Sequence, residues 1–224
     1  GILGNIINTI YIIVITLIIA APIGIGSAIY LNEYAKPGKL VRTIEFTTEI
    51  LSGIPSSIFG LCGMVFFGMT LKLGYSVLTG SFTLTLMVLP LITRNTQEAL
   101  KTVPDSYRSG ALGIGATKWY MIRTILLPSA APGIMTGVIL SIGRIVGESA
   151  ALLFTAGSGF QLPKNLFGKL FESSGTLTIQ LYLSMQKAKY DQAFGIAVVL
   201  LIIVLGINLL TRFLTNRFDV TKLK

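Results

Sequence analysis

The sequence predicts an all-α integral membrane protein with five transmembrane helices. Of its 224 residues, 52% are hydrophobic and 12% are charged, and the mean hydropathy is +0.77. A soluble domain usually carries about 25% charged residues. The apolar residues are gathered in long unbroken runs, whereas barrel strands would show segments of about ten residues with alternating polarity. These observations exclude a soluble protein and a β-barrel.

Each predicted span can cross a hydrocarbon core of about 30 Å at about 1.5 Å of rise per residue. We predict the spans at 5–31, 46–71, 81–96 (continuing as helix to 100), 131–155 and 194–214. We treat the whole chain, 1–224, as one membrane domain with two long connections, which are 101–130 and 156–192.

The lysines and arginines are divided unevenly between the two sides of the predicted bundle. The connections after spans one and three and the C-terminal tail carry twelve of them, and the opposite side carries five. Basic residues stay on the cytoplasmic side of a membrane. We therefore expect a multi-pass protein of the plasma membrane with 101–130 and the C-terminus in the cytoplasm and the first residue outside. The ends then lie on opposite sides, so we expect a sixth span upstream in the full protein.

The net charge of +9 is explained by lipid headgroups, and we expect no nucleic-acid partner. The chain has no histidine, and its single cysteine, Cys62, lies in an apolar run. Neither a metal site nor a disulfide is indicated. The phosphate-binding pattern G-x-x-x-x-G-K-[ST] is absent, as is an acid–base or nucleophile–base set. We therefore expect a non-catalytic subunit that binds no cofactor.

The connection 101–130 is too long for a turn and too apolar for a disordered linker. We predict two short helices, separated by a sharp bend that Gly113 and Gly115 permit. The first starts at 104–106, where Ser or Asp can cap it, and continues through 107–112, and the second runs over 118–124. Such a knob suits a groove on a cytosolic partner. The side chains it would present are Leu112, Trp119, Tyr120 and Ile122. The alternative is a loop that only covers the protein's own spans.

The fourth predicted span holds two charges within an apolar run. Arg144 and Glu148 are four residues apart, which predicts one shared helix face. A charge at bilayer depth costs about 2.5–3.5 kcal/mol or more. One interpretation is that Arg144 offers its planar guanidinium to a tetrahedral oxyanion, while Glu148 orients Arg144 or accepts a proton from that anion. The other is a structural ion pair.

The same span contains two glycine pairs at four-residue spacing, Gly133 with Gly137 and Gly143 with Gly147. This spacing lets helix backbones approach each other closely, so both pairs predict helix packing. In the connection 156–192, Leu166, Leu170 and Phe171 stand at helical spacing beside lysines. They predict a helix lying along the outer interface. Docking of a binding protein is the alternative role of that segment.

The knob sequence resembles the coupling motif of ABC-importer permeases, which reads Glu-Ala-Ala, three residues, Gly, nine residues, Ile, one residue, Leu-Pro. The matching positions here are Ser109, Gly110, Ala111, Gly115, Ile125, Leu127 and Pro128. Ser109 and Gly110 replace the Glu and the first Ala of the motif. In that family the knob docks on an ATPase subunit and transmits its closure to the spans. The resemblance therefore implies ATPase coupling through these positions and Leu112.

Three further segments resemble the phosphate-specific members of that family. They are IYLNEYAKPGK, LSGIPSSIFGL and GRIVGESAALLFTAG, and the last is most similar to the second of the two permease subunits. The resemblance implies a type I ABC importer permease fold. It also implies a substrate pathway through Arg144, Glu148 and Arg94, the last of which occupies the place of an arginine linked to phosphate passage. Taken alone, Arg94 is equally typical of a positive-inside anchor.

The implied function is the movement of inorganic phosphate into the cytoplasm. The implied partners are a homologous second permease, two ATPase subunits that use ATP and Mg, and an extracytoplasmic phosphate-binding protein. Sulfate, molybdate or phosphonate remain alternative substrates, because a guanidinium suits every oxyanion. A secondary transporter without an ATPase would predict internal inverted repeats, which are not visible. A membrane scaffold would leave the charges of the fourth span unexplained.

Overall fold

The computed structural model describes residues 2–36, 38–159, 165 and 167–218, without the side chains of 212 and 214–218. Every regular element in this part of the chain is helical. The helices are α1 (Leu3–Ile29), α2 (Lys39–Gly53), α3 (Ser56–Gly63), α4 (Val77–Lys101), α5 (Asp105–Gly113), α6 (Lys118–Met121), α7 (Leu127–Gly147), α8 (Ala150–Thr155), α9 (Leu177–Gln186) and α10 (Tyr190–Phe218). Three π-helical segments extend α1, α3 and α6, at Tyr30–Tyr34, Met64–Thr70 and Ile122–Leu126.

Four continuous helical stretches are long and apolar enough to cross a membrane. They are Leu3–Tyr34, Val77–Lys101, Lys118–Gly147 and Tyr190–Thr211. The bent pair Lys39–Gly53 and Ser56–Thr70 makes a fifth crossing if it is counted as one span. The predicted all-α membrane fold is confirmed, and so are the first, third and fifth spans.

The second predicted span, 46–71, is wrong as a single helix. The chain bends by 104° between α2 and α3. Ile54 is extended, with ψ at 133°, because it precedes Pro55, and proline disfavours helical geometry in the residue before it. None of the residues of α2 is buried, whereas α3 packs against α8. A Cβ added to Gly60 would stand 2.8 Å from Cα of Ala151, so these two helices nearly touch.

The predicted boundaries of the fourth span, 131–155, are also wrong at both ends. The helix begins at Lys118, because α6 continues through Ile122–Leu126 directly into α7. Pro128 is the second residue of α7 and does not start a new helix. At the other end α7 stops at Gly147, where Glu148 adopts an extended conformation with ψ at 124°.

Helices α4 and α7 cross closely and run in opposite directions. A Cβ added to Gly133 would stand 2.6 Å from Cβ of Ala99, and one added to Gly137 would stand 2.7 Å from Cβ of Asn95. Packing by this glycine pair is thereby confirmed. Helix α1 lies along α4 on another side, where Gly24 packs against Ile92. Residues 101–130, which we call the knob, lie at the end of the bundle where α4 ends. We call this end of the bundle the knob end.

The opposite end of the bundle is closed by the connection 156–192. Its main helix is α9, which the sequence did not predict, and the expected interfacial helix reduces to one 3-10 turn at Gly168–Phe171. Leu170 packs against the core, which contradicts a surface helix, and Leu166 lies outside the described residues. Asn5 of α1 donates a hydrogen bond to the carbonyl of Gly175 at 3.0 Å. The segment is therefore anchored to α1 by buried polar contacts.

Candidate functional site

The knob consists of two helices joined by a tight glycine turn, as the sequence predicts. Helix α5 ends at Gly113, and Gly115 has a φ of +85°, a left-handed conformation that favours glycine. The hydroxyl of Thr117 then accepts a hydrogen bond from the amide of Tyr120 at 3.3 Å and caps α6. Helix α5 is thus held at a fixed bend to α6, which forms the first turn of the continuous helix Lys118–Gly147.

The knob has one apolar face in the core and another that is exposed. The buried side chains are Ala111, Met121, Ile122 and Leu126, which pack with Ala99, Leu100, Val103, Ala130 and Ile134. The exposed ones are Tyr107, Leu112, Ile114, Trp119 and Tyr120. The knob therefore covers the spans with one face and exposes the other, which is the face that the docking interpretation would use.

Ile122 was predicted on the outer face, and this is wrong. The π-helical segment that begins at Ile122 continues into α7, so its side chain turns into the core. Ile114 was missed, although its exposed fraction of 87% is the highest among the exposed large apolar residues of the described chain. Of the motif positions, Ser109, Gly110, Leu112 and Gly115 are exposed, Ala111 is buried, and Ile125, Leu127 and Pro128 are half-buried.

Arg108 ties the inner side of the knob to the bundle. Its Nε and one terminal nitrogen donate to Oε1 of Glu33 at 3.3 and 3.0 Å. The remaining bonds go to the carbonyls of Leu100 and Val103, both at 2.9 Å, and to Asp105 at 3.1 Å. The carbonyl of Leu100 belongs to the last turn of α4, where it also accepts a long backbone hydrogen bond from the amide of Val103, at 3.4 Å. The guanidinium therefore caps α4 while it pairs with a carboxylate 75 residues away.

Arg144, in contrast, lies inside α7 with no counter-charge. Its side chain is half-buried, and no carboxylate of the described residues lies within the 4.0 Å of a salt bridge. Since Gly137 contacts Asn95 and α7 is antiparallel to α4, Arg144 stands seven residues further from the knob end, or about 10 Å. The arginine is thus placed in the middle of the bundle.

The predicted shared helix face of Arg144 and Glu148 is wrong. Helix α7 ends between them, at Gly147, because Glu148 is extended. Oε1 of Glu148 accepts a hydrogen bond from the amide of Ala151 at 3.0 Å, and its carbonyl accepts one from the hydroxyl of Thr178 at 2.9 Å. Glu148 therefore fixes the break between α7 and α8, and the intrahelical ion pair does not form.

The second predicted glycine pair does not pack as the first one does. Within the described part of the chain, no heavy atom beyond the neighbouring backbone of α7 itself lies within 4 Å of a Cβ built on Gly143 or Gly147. These glycines flank Arg144 on a different face of α7 from Gly133 and Gly137. That other face stays in the core beyond Gly137 through Ser141 and Ile145, so the open space lies only on the side of the helix beside the arginine.

Arg94 is not brought together with Arg144. It forms an exposed ion pair with Glu98 one turn further along α4, at 3.5 Å. Both residues line a cleft of about 260 Å³ together with Glu45 and Glu49 of α2. Because Arg94 neighbours Asn95, it lies near the knob end, about one and a half helical turns below Arg144. No cluster of metal ligands occurs among the described residues.

Comparison with known proteins identifies the family. Residues 20–221 match the family described as "Binding-protein-dependent transport system inner membrane component". The chain belongs to this family of ABC-importer permeases. It is similar to the probable ABC transporter permease protein YqgI of Bacillus subtilis, with 35% identity over 96% of this chain and 77% of that protein.

Phosphate permeases are among the relatives. The phosphate transport system permease protein PstA of Mycobacterium leprae is 35% identical over 91% of this chain and 68% of that protein. Among solved structures, the permease fold is shared with the inward-facing MetNI methionine ABC transporter. That match has a TM-score of 0.70 and 19% identity, and it covers 97% of this chain and 94% of the other. The predicted type I importer permease fold is thereby confirmed.

Proposed function

We propose that this permease carries inorganic phosphate into the cytoplasm, driven by ATP hydrolysis on separate subunits. The similarity to PstA over most of the chain supports phosphate as the substrate. The name of the equally similar YqgI specifies no substrate, so the chemistry of the spans must distinguish phosphate from other oxyanions.

The observation that carries the proposal is Arg144. A guanidinium inside a membrane helix is tolerated when it faces a polar pathway or a partner. The described chain offers Arg144 no carboxylate, and the glycines on either side leave space around it. A phosphate oxyanion passing this point would supply the missing negative charge and accept two parallel hydrogen bonds.

The two other predicted pathway residues receive different roles. Arg94 lies at the knob end beside three glutamates. We propose that it meets the anion after Arg144, as the anion leaves the bundle for the cytoplasm. Glu148 holds the break after α7 through its bond to Ala151, and so fixes the end of the helix that carries Arg144. This replaces the predicted orientation of Arg144 by Glu148.

The exposed face of the knob is the proposed contact with an ATPase subunit. Its apolar side chains stand on two short helices and suit a hydrophobic groove. A second permease, two ATPase subunits using ATP and Mg, and an extracytoplasmic phosphate-binding protein complete the proposed assembly. We place the knob and the C-terminus in the cytoplasm and the chain in the plasma membrane, on the distribution of basic residues.

Uptake of radiolabelled phosphate by vesicles that hold the complete transporter tests the proposal. We expect Arg144→Gln to reduce uptake at least tenfold, since a hydrogen bond to a charged group contributes about 1.5–3 kcal/mol. Arg144→Lys keeps the charge without the planar pair of donors, so its uptake should lie between that of the wild type and that of Arg144→Gln. Excess unlabelled sulfate should not compete.

Arg42→Gln is the matched control, because Arg42 is exposed on α2 and has no salt bridge within the described part of the chain. Copurification with the ATPase subunits checks that each variant assembles. Normal uptake by assembled Arg144→Gln would remove Arg144 from the pathway. Strong inhibition by sulfate, or uptake of sulfate in place of phosphate, would exchange the substrate and leave the permease assignment standing.

A further inference from the structure

We propose that the Glu33–Arg108 pair is the linkage that makes the cytoplasmic end of α1 move together with the knob. This rests on the proposed coupling of the knob to an ATPase. The motif at 109–128 accounts for contact with the ATPase, but it does not explain how a displacement of the knob reaches the first span. The side chains of Arg108 and Glu33 are 19% and 5% exposed, unlike the exposed apolar side chains of the knob.

The Glu33–Arg108 pair has the contacts needed to transmit a displacement of the knob to α1. The Glu33 side chain is 5% exposed and accepts from Arg108 twice and from Asn32 at 2.7 Å. Arg108 uses all three of its nitrogens, and two of its acceptors are backbone carbonyls at the end of α4. Buried charge-assisted bonds with several fixed acceptors resist sliding, because any displacement leaves a buried charge uncompensated. Helix α5, the end of α4 and the end of α1 are thus joined at one guanidinium.

A second contact joins the same segment of α1 to the other knob helix. Nζ of Lys118, the first residue of α6, stands 4.9 Å from the centre of the Tyr34 ring, within the range of a cation–π interaction. Glu33 and Tyr34 are neighbours in the π-helical segment Tyr30–Tyr34. Such segments are frequent at functional sites. One turn of α1 therefore holds α5 through Arg108 and α6 through Lys118.

The linkage predicts that the knob, the end of α4 and the end of α1 shift as one body when an ATPase subunit closes. Without it, α1 would be connected to the knob by the Lys118–Tyr34 contact and by apolar packing, in which Ile25 and Ile29 lie against the buried side of the knob. The first span could then lag behind the ATPase, and ATP would be hydrolysed with less transport. Arg108 and Glu33 are therefore positioning residues, whose loss changes the ratio of transport to hydrolysis.

The test uses the complete transporter in liposomes and measures ATP hydrolysis and phosphate uptake on the same preparation. The variant Glu33→Ala/Arg108→Ala removes both charges and so leaves no unpaired buried ion. We expect it to assemble and to hydrolyse ATP within twofold of wild type, with at least a fivefold fall in phosphate taken up per ATP. Arg108→Lys, with one compact charge, should restore part of this ratio.

Arg42→Ala serves as control for loss of an exposed arginine at the same end of the bundle and should leave the ratio unchanged. An unchanged ratio in the assembled double variant would overturn the proposal. So would an equal loss of hydrolysis and uptake, since the pair would then only hold the fold together.

A second measurement separates this linkage from the choice of substrate. Spin labels at Tyr30→Cys on α1 and Ser106→Cys on α5, in a Cys62→Ala background, report the distance between α1 and the knob. We expect ATP to leave this distance unchanged with the pair intact and to alter it in the double variant. A wild-type complex that hydrolyses ATP without phosphate uptake would refute the proposed substrate but not the linkage. A distance that changes with ATP while the pair is intact would refute the linkage.

Discussion

Two arginines of this permease illustrate opposite uses of the same side chain. Arg108, at the knob end, has every nitrogen engaged and faces a carboxylate that is almost fully buried. Arg144, in the middle of α7, is half-buried and has no carboxylate within reach in the described chain. The first arginine is saturated by the protein itself, whereas the second has donors to spare.

The two arginines differ in whether their N–H donors are filled by the protein. A guanidinium presents five N–H donors in a rigid plane, and an arginine whose donors are filled by fixed acceptors holds structure in place. One that is half-buried without an acceptor is costly in a membrane unless something else supplies the charge. The free energy that Arg144 costs the bundle is thus the reason to expect an anion there.

The largest predicted effect concerns the saturated arginine. Arg108→Ala leaves the Glu33 carboxylate buried without its partner, which should lower the free energy of unfolding by about 3–5 kcal/mol. Adding Glu33→Ala removes that charge and should recover about 2 kcal/mol, so the second substitution stabilises the first variant. Unfolding in mixed micelles by titration with sodium dodecyl sulfate measures both values.

Glu98→Ala is the control for this prediction, since it breaks the exposed Arg94–Glu98 pair and should cost less than about 1 kcal/mol. Arg144→Gln should not destabilise the protein at all, because no partner is left behind. A loss on Arg144→Gln as large as that on Arg108→Ala would abolish the contrast between the two arginines.

The sequence predicted the helical bundle well but not the partners of its charges. Long apolar runs and the asymmetry of basic residues are local or additive signals, so the spans and the glycine-bent knob could be found from them. Arg144 stood out because an arginine in an apolar run is rare. Its relation to Glu148 failed because spacing assumes a continuous helix, and the helix ends at Gly147.

Arg108 was counted only as one more cytoplasmic charge. Its partner Glu33 is 75 residues away, and no local pattern connects two such positions. The π-helical segments also escaped the sequence analysis. Each of them shifts the register by which the side chains that follow are assigned to a helix face. Ile122, the first residue of one such segment, was placed outside although it is buried, because it was assigned to a separate short helix and not to the continuous helix Lys118–Gly147.

The second prediction compares two faces of α7, the one that packs on α4 and the one beside Arg144. Gly137→Ala places a methyl group 2.7 Å from Cβ of Asn95, so α4 and α7 must separate, at an expected cost of about 1–3 kcal/mol in unfolding free energy. Gly143→Ala meets nothing within 4 Å and should be neutral or stabilise by up to about 1 kcal/mol through helix propensity. The same detergent titration measures both variants.

Equal costs at Gly137 and Gly143 would mean that the space beside Arg144 is closed in the working protein. A neutral Gly143→Ala beside a costly Gly137→Ala would instead strengthen the contrast between the two positions. It would show that the face of α7 beside the unpaired arginine, which carries Gly143, has no close neighbour in this chain and is available to a passing anion.

The smallest predicted effect concerns the exposed face of the knob. Ile114→Ser should leave the stability of the isolated permease within about 0.5 kcal/mol of wild type, because the side chain is 87% exposed. It should weaken association with the ATPase subunits about tenfold, or about 1.4 kcal/mol. Phe167→Ser is the matched control, since Phe167 is 83% exposed at the opposite end of the bundle.

The two serine variants remove apolar surface of similar exposure from opposite ends, so they separate docking from a general loss of hydrophobicity. If the knob only covers the spans, both variants will bind the ATPase subunits as the wild type does. If the outer face docks, only Ile114→Ser will bind more weakly, because an apolar contact at the centre of an interface contributes more than the same surface facing lipid or water. Affinity titration with the purified ATPase therefore decides whether the exposed face of the knob contacts an ATPase subunit. Only then would the Glu33–Arg108 pair have a movement of that subunit to transmit to α1.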